Sequence, residues 1–347
     1  MSTIKTALLS YGMSGRVFHA PFLQTHPGFE LAGCWERSRK VIAQRYPAVR
    51  SCDTLDELLA DPAIDLVVVN TPTATHFDYA REALEHGKHV LVEKAFTTTA
   101  AEAEELANLA RETGRKLAVF QNRRWDSDFL SVREIVEQGV LGDIVEANLS
   151  FARFNPALSP KAHKEEPGPG AGIVKDLGPH VIDQALVLFG MPEAVFADIG
   201  ITREGSLVDD YFDILLSYGD RRVHARGGYF YRHPLPEYAM FGTRGCFLKT
   251  RADVQEAQLD GGMMPDDPAY GVEPEEEAGL LYTDDTDRTG ERRVGSPRGD
   301  YMQFFHGLYR AIARDEDLPV SANDGVRVMR IIEAAFRSAQ EHCTIQL

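Results

Sequence analysis

His89-Val90-Leu91-Val92-Glu93-Lys94 is the stretch whose reading decides the fold. Its apolar run suits a parallel strand covered on both faces, and it ends abruptly in two charges. In open α/β sheets, ligands bind in the crevice outside the carboxyl ends of the strands. A lysine at that end faces a ligand rather than bulk water. The competing account, a salt-bridged Glu93–Lys94 pair, is equally compatible with position alone.

Upstream of this strand, Ile4–Ser10 reads as a first strand broken at Tyr11-Gly12-Met13-Ser14-Gly15. Further strands are expected at Phe29–Cys34, Ile64–Val69 and Lys116–Phe120, with helices between them. Thr54-Leu55-Asp56-Glu57 and Thr99-Ala100-Ala101-Glu102 read as capping boxes, and Gly87 closes the helix Phe77–His86. Regular alternation of strand and helix marks a doubly wound parallel sheet, so residues 1–121 are expected to form a Rossmann-type α/β domain.

Beyond Gln121 the rhythm changes. A helix near Asp128–Gln138 and a strand near Ile144–Phe154 precede a Pro/Gly-rich loop, Asn155–Gly172, and the helix Pro179–Phe189. Long strands follow at Ala194–Thr202, Asp209–Tyr218, Arg221–Tyr231 and Glu237–Phe241. Residues 122–347 are therefore expected to form an α+β domain with a large, mostly antiparallel open sheet. Residues 253–297 should be long loops with short strands, followed by helices Tyr301–Arg314 and Gly325–Glu341, the latter capped by Asn323. The C-terminal helix, about 324–341, is expected to pack back on the first domain.

Bulk composition limits the partners. A net charge of −16 over 347 residues argues against nucleic acid and anionic membranes, which select basic surfaces. No apolar run approaches the roughly 18 residues of a spanning helix, and no signal-peptide pattern opens the chain. Cys34, Cys52, Cys246 and Cys343 are scattered, which suggests neither disulfides nor zinc and makes a reducing cytoplasm the default. Thr283-Asp284-Asp285-Thr286-Asp287 lacks the glycine and distal glutamate of a calcium loop and reads as a solvated hairpin tip, so no metal is expected.

Four motifs carry chemistry. Ser10, Gly12 and Gly15 occupy the three positions of a dinucleotide fingerprint, G-x-G-x-x-G, with serine in place of the first glycine. Glu36 lies 21 positions past Gly15, about where a carboxylate grips the ribose 2′-OH. That favours NAD slightly, while Arg37, which can stack on adenine or bind a 2′-phosphate, keeps NADP open. Asn70-Thr71-Pro72-Thr73-Ala74-Thr75-His76 follows another strand end, where Thr71 and Pro72 can pack against a nicotinamide and Thr73 or Thr75 can cap the helix that follows. Asp176-Leu177-Gly178-Pro179-His180 opens an apolar helix. The aspartate can share a face with His180 or cap the helix, and in either case an imidazole beside a carboxylate can move a proton near neutral pH. A structural cap beside a packed histidine is the more common use of that spacing.

Together, Gly12-Met13-Ser14-Gly15, Phe18-His19-Ala20-Pro21-Phe22, Glu93-Lys94, Asn122-Arg123-Arg124-Trp125-Asp126 and Asp176–Asp183 closely resemble the Gfo/Idh/MocA oxidoreductase family over essentially the whole chain. They look most like the branch holding NADP-dependent scyllo-inositol dehydrogenases. The resemblance implies a catalytic trio of Lys94, Asp176 and His180. The candidate cofactor-binding set is Ser10, Gly12, Met13, Ser14, Gly15, Glu36, Arg37, Asn70, Thr71, Pro72, His76, Glu93, Lys94 and Asn122. Arg123, Trp125, Arg153 and His163 are candidates for shaping a substrate pocket. The chain departs from the family at Ser10 and at Ala95, which stands where the motif has proline and bears on the backbone after Lys94.

The chemistry so implied is hydride transfer between a nicotinamide cofactor, NAD or NADP, and a secondary hydroxyl of a cyclic polyol or sugar. His180 would take the hydroxyl proton, Asp176 hold the imidazole and Lys94 stabilise the alkoxide-like transition state. A homodimer or homotetramer through the second domain's sheet is implied as well. Two other classes remain: a silent nucleotide-binding sensor, and cofactor-assisted non-redox chemistry such as glycoside cleavage.

Overall fold

The computed structural model describes residues 3–37, 40–160, 162–233, 235–283 and 291–347, with the side chains of Ala162 and His163 outside that description. By internal contacts the chain divides into two units. The first comprises residues 1–122, 255–270 and 300–326; the second comprises 123–254, 271–299 and 327–347.

The first unit holds a six-stranded parallel sheet: β1 (Ile4–Leu8), β2 (Phe29–Trp35), β3 (Arg50–Cys52), β4 (Leu66–Val69), β5 (His89–Val92) and β6 (Leu117–Val119). Its order is β3-β2-β1-β4-β5-β6, a doubly wound Rossmann sheet whose order reverses next to β1. Leu66, Val67, Val68, Val69, Val90, Leu91 and Val92 have no exposed surface, as strands covered by helices on both faces require. Of the two capping boxes, Thr99/Glu102 is complete. In the other, Thr54 accepts from Glu57 N, but Glu57 takes the amide of Asp53.

A single cut at 121/122 does not separate the units, because aromatic packing brings two later segments into the first. Phe305 stacks on Phe22 at 4.9 Å, Phe304 meets Phe120 edge-on at 5.0 Å, and Tyr270 lies 6.3 Å from Phe22. Residues 320 and 321 also pair with the edge strand β6. The C-terminal helix, Ala322–Glu341, has its first turn in the first unit and the rest in the second. Its start is set by Ser321 and Asp324, which exchange side-chain-to-backbone hydrogen bonds. Asn323, the expected cap, lies inside the first turn, because the serine one turn earlier is paired with an aspartate three residues on.

The second unit is built on nine strands: β7 (Ile144–Ala152), β8 (Ala194–Gly200), β9 (Tyr211–Tyr218), β10 (Arg221–Gly228), β11 (Tyr238–Gly242), β12 (Gly245–Lys249), β13 (Gly279–Thr283), β14 (Glu291–Val294) and β15 (Ile345–Gln346). They run β14-β13-β12-β11-β7-β10-β9-β8-β15, antiparallel except for β7/β10. Along β9 every second residue (Phe212, Ile214, Leu216) is fully buried and those between are half-buried, the alternation of a sheet with helices on one face only. Of the acidic run expected at the β13–β14 hairpin tip, Asp284 to Asp287 lie outside the described residues.

Candidate active site

In the first unit the turn after β1 is tied down by side chains. Ser10 Oγ accepts from Gly12 N at 3.1 Å, so the serine closes the tight turn by itself. Asn70 Nδ2 donates to Ser10 O at 2.8 Å. A Cβ on Gly15 would stand 2.3 Å from Ser10 O and 2.9 Å from Asn70 Nδ2, which leaves room only for glycine. Met13 is exposed beside this turn.

Glu36 does not present its carboxylate outward. It is 6 % exposed; Oε1 accepts from the amides of Val41 and Ile42 at 2.8 and 3.1 Å, and Oε2 accepts from Ser51 Oγ at 2.8 Å. The group expected to hold a ribose hydroxyl instead caps the helix Ile42–Arg45 from inside. Arg37 is exposed, with its guanidinium 5.8 Å from the Trp35 ring centroid. Ser38 and Arg39 lie outside the described residues.

The next two strand ends are joined through His76. Its Nδ1 is 2.8 Å from Ala95 O and its Nε2 2.8 Å from Thr71 O. A neutral imidazole donates to only one of them, and burial pushes its pKa below the ordinary value. His76 thus links the Thr71-Pro72 loop to the residue after Lys94. Thr71 Oγ1 also contacts Thr75 Oγ1 at 2.7 Å. Lys94 is half-buried, and the Lys94–Ala95 peptide is cis. Glu93 accepts from Ser14 Oγ and lies 2.8 Å from His19 Nε2. Asn122 is buried at the end of this unit.

In the second unit, Asp176 ends the short helix Ile173–Asp176, and His180 lies in the first turn of Gly178–Phe189, with Pro179 beside it. Asp176 therefore neither caps the second helix nor belongs to it. Its Oδ2 accepts from Lys164 Nζ at 2.6 Å. The imidazole of His180 is buried, 5.9 Å from the Phe151 ring. Arg123 and Arg153 place their guanidiniums 5.3 and 5.2 Å from that same ring, so Phe151 gathers three of the expected residues. Trp125 is half-buried on the turn Asn122–Trp125. His163 falls within the helix Ala162–Glu165, with its side chain outside the described residues.

Two partners escaped sequence reasoning. Arg124 grips Asp183 with Nε and Nη2 at 2.8 and 2.6 Å, clamping the Arg123-Arg124-Trp125 turn to the His180 helix. Both residues sat in the quoted motifs, but their pairing left no signal in spacing. Lys164 was one lysine in a Pro/Gly-rich loop.

Comparison with known proteins shows the family. Residues 4–121 match the model of an oxidoreductase family with an NAD-binding Rossmann fold, and 133–347 match that family's C-terminal alpha/beta domain. Scyllo-inositol 2-dehydrogenase (NADP(+)) IolW of Bacillus subtilis is 36% identical over 347 residues, covering 100% of this chain and 97% of that protein. A D-xylose 1-dehydrogenase (NADP(+)) of Haloferax volcanii is 25% identical over 93% of this chain and 92% of its own. A crystal structure from Bacteroides fragilis matches with TM-score 0.91 and 44% identity over 100% of both chains. The chain belongs to the Gfo/Idh/MocA oxidoreductase family and is an enzyme of its NAD(P)-dependent dehydrogenase and reductase type.

Proposed function

We propose that this oxidoreductase takes NADP and oxidises, reversibly, a secondary hydroxyl of a cyclic polyol or sugar. The observation that carries the reading is internal to the first unit: Ser14, in the fingerprint turn, hydrogen-bonds Glu93, the neighbour of Lys94. A lysine is thus fastened beside the turn that would receive a pyrophosphate. The Gly15 approach to Ser10 and Asn70 fits a dinucleotide, since backbone must come close there. The cofactor, when bound, accepts or returns the hydride.

The chain's own residues do the rest. In this reading Lys94 offers an ammonium to the oxygen that gains negative charge, His180 takes the hydroxyl proton, and Asp176, which accepts from Lys164, has the role of supporting the imidazole. The preference for NADP rests on Glu36. Its carboxylate is occupied by two amides and a hydroxyl, so it is not aimed at a 2′-hydroxyl, while Arg37 stands exposed nearby. This reverses the lean toward NAD that Glu36 suggests when read as a bare letter. The one-sided sheet of the second unit supports self-association through its free face, which size-exclusion chromatography with light scattering would test.

Absorbance of reduced nicotinamide, followed with inositols, aldoses and glycosides against NADP and NAD, tests the reading. Net accumulation with a polyol and NADP supports it. Substrate conversion without accumulation would favour non-redox chemistry, and neither outcome with any substrate would favour a nucleotide sensor.

A further inference from the structure

Three residues distant in sequence meet inside the first unit. The side chain of Glu93 is 12 % exposed. Its Oε1 accepts from Ser14 Oγ and lies 2.8 Å from His19 Nε2, while its Oε2 takes the amide of Lys94 at 3.3 Å. His19 is wholly buried, with its ring 4.5 Å from Phe120 and 6.3 Å from Phe305. Its Nδ1 makes no hydrogen bond to the described residues. A proton on a buried nitrogen without an acceptor costs free energy, so the hydrogen is assigned to Nε2, which donates to Glu93. Glu93 is the matching anion. Burial pushes its pKa up, but the hydrogen bond and charge interaction with His19, the Ser14 hydrogen bond and the Lys94 charge together outweigh burial and hold it below the ordinary value.

Ser14 adds a second observation. With φ −60° and ψ −48° it is already helical just ahead of Gly15, and its side chain makes no capping bond. Its hydroxyl donates to Glu93 instead, which ties the turn to the strand end that carries Lys94, while the Arg16 amide is taken by Gly12 O at 3.0 Å.

We propose that Glu93, steadied by His19, is a positioning residue that locks the cofactor turn and the Lys94 backbone into one register. The inference deepens the dehydrogenase reading and rests on it for the role of Lys94. Movement of the turn is transmitted to the lysine through one carboxylate. Cofactor affinity and turnover therefore respond together when that carboxylate or its histidine support is altered.

Glu93→Gln keeps the shape but replaces one acceptor oxygen with a donor. His19→Leu removes the supporting donor, and His19→Gln returns a donor near the position of Nε2. Three readouts are needed: the dissociation constant of NADP, or of NAD if that binds more tightly, by calorimetry; kcat at saturating cofactor; and melting temperature. Glu93→Gln and His19→Leu should each weaken cofactor binding and lower kcat, by about tenfold for a misplaced polar group. His19→Gln should recover most of the His19→Leu loss. A purely structural role would lower only the melting temperature.

Binding and kcat within about twofold of wild type in both variants would overturn the proposal, as would weaker binding with kcat unchanged. If Glu93→Gln fails to fold, Ser14→Ala and the two His19 variants carry the same test. If the wild-type enzyme reduces neither cofactor with any polyol, the dehydrogenase reading fails on its own. The binding series then still decides the anchor: an unchanged dissociation constant in Glu93→Gln and His19→Leu overturns it.

Discussion

Lys164 is held on Asp176, with Nζ 2.6 Å from Oδ2. Both ends of this contact are braced by neighbouring aspartates that precede β9. Asp209 Oδ2 accepts the amide of Val174 at 2.8 Å, which fixes the short helix ending in Asp176. Asp210 accepts from Arg203 Nε at 3.0 Å, and Arg203 in turn binds Glu165, the residue after Lys164, at 2.9 Å. One corner of the sheet thus sets the positions of both the lysine and the carboxylate.

Replacing Lys164 by methionine should therefore lower kcat/KM for the best polyol, by roughly three- to tenfold. The pair is partly open, 38 % and 25 % exposed, and solvent screens it. Lys164→Arg should retain most of the activity, because a cation still reaches the carboxylate. A loss below twofold in the methionine variant would remove Lys164 from the site.

Arg37 carries the cofactor prediction. With Glu36 turned inward, Arg37→Ala should weaken NADP by on the order of tenfold and NAD by much less, since a guanidinium recognises a phosphate dianion and only stacks on adenine. The check is the ratio of kcat/KM for the two cofactors. Equal losses for both would mean that Arg37 does not read the 2′ position.

What sequence could convey follows from locality. His89–Val92 reads as a buried strand because four residues report their own environment, and the Thr99/Glu102 capping box spans one helical turn. The parallel α/β unit and the mostly antiparallel sheet were legible for the same reason. Glu36 was not: its spacing from Gly15 suits a ribose ligand, yet its direction depends on Val41, Ile42 and Ser51 folding back over it. Lys164–Asp176 and Arg124–Asp183 are tertiary pairings, 12 and 59 residues apart, that no periodicity encodes. Segments 255–270 and 300–326 join the first unit through aromatic faces whose partners are more than 180 residues away.

Asp210 gives a stability prediction with a definite sign. Its carboxylate is fully buried, and it accepts from Thr202 N, Thr202 Oγ1, Arg203 N and Arg203 Nε at 2.6 to 3.0 Å. Burial pushes its pKa up, but these hydrogen bonds outweigh it and hold the group below the ordinary aspartate value of 3.8. A depressed folded pKa contributes stability that is full above 3.8 and is lost as pH falls through the folded value. Asp210→Asn should therefore cost about 3 kcal/mol near neutrality by breaking a buried pair, and the gap to wild type should narrow below about pH 4. Denaturant melts at pH 7 and pH 3 would decide it. A gap that does not narrow at low pH would assign the loss to packing rather than charge.

His180 gives the sharpest test of the chemistry. Its imidazole is buried in the first turn of the helix Gly178–Phe189, beside Phe151, in the second unit; the fingerprint turn and its Ser10–Asn70 brace belong entirely to the first. His180→Ala leaves that turn intact, so the dissociation constant for NADP should stay within about twofold of wild type. Losing a group that accepts the hydroxyl proton should lower kcat by roughly 10²- to 10⁴-fold. The histidine also fills space against Phe151, so His180→Gln separates packing from proton transfer: it restores volume without a titrating base. If both variants are slow while binding NADP normally, His180 acts on the substrate proton. If His180→Gln turns over like wild type, the histidine is a packing residue and the proton must leave by another group.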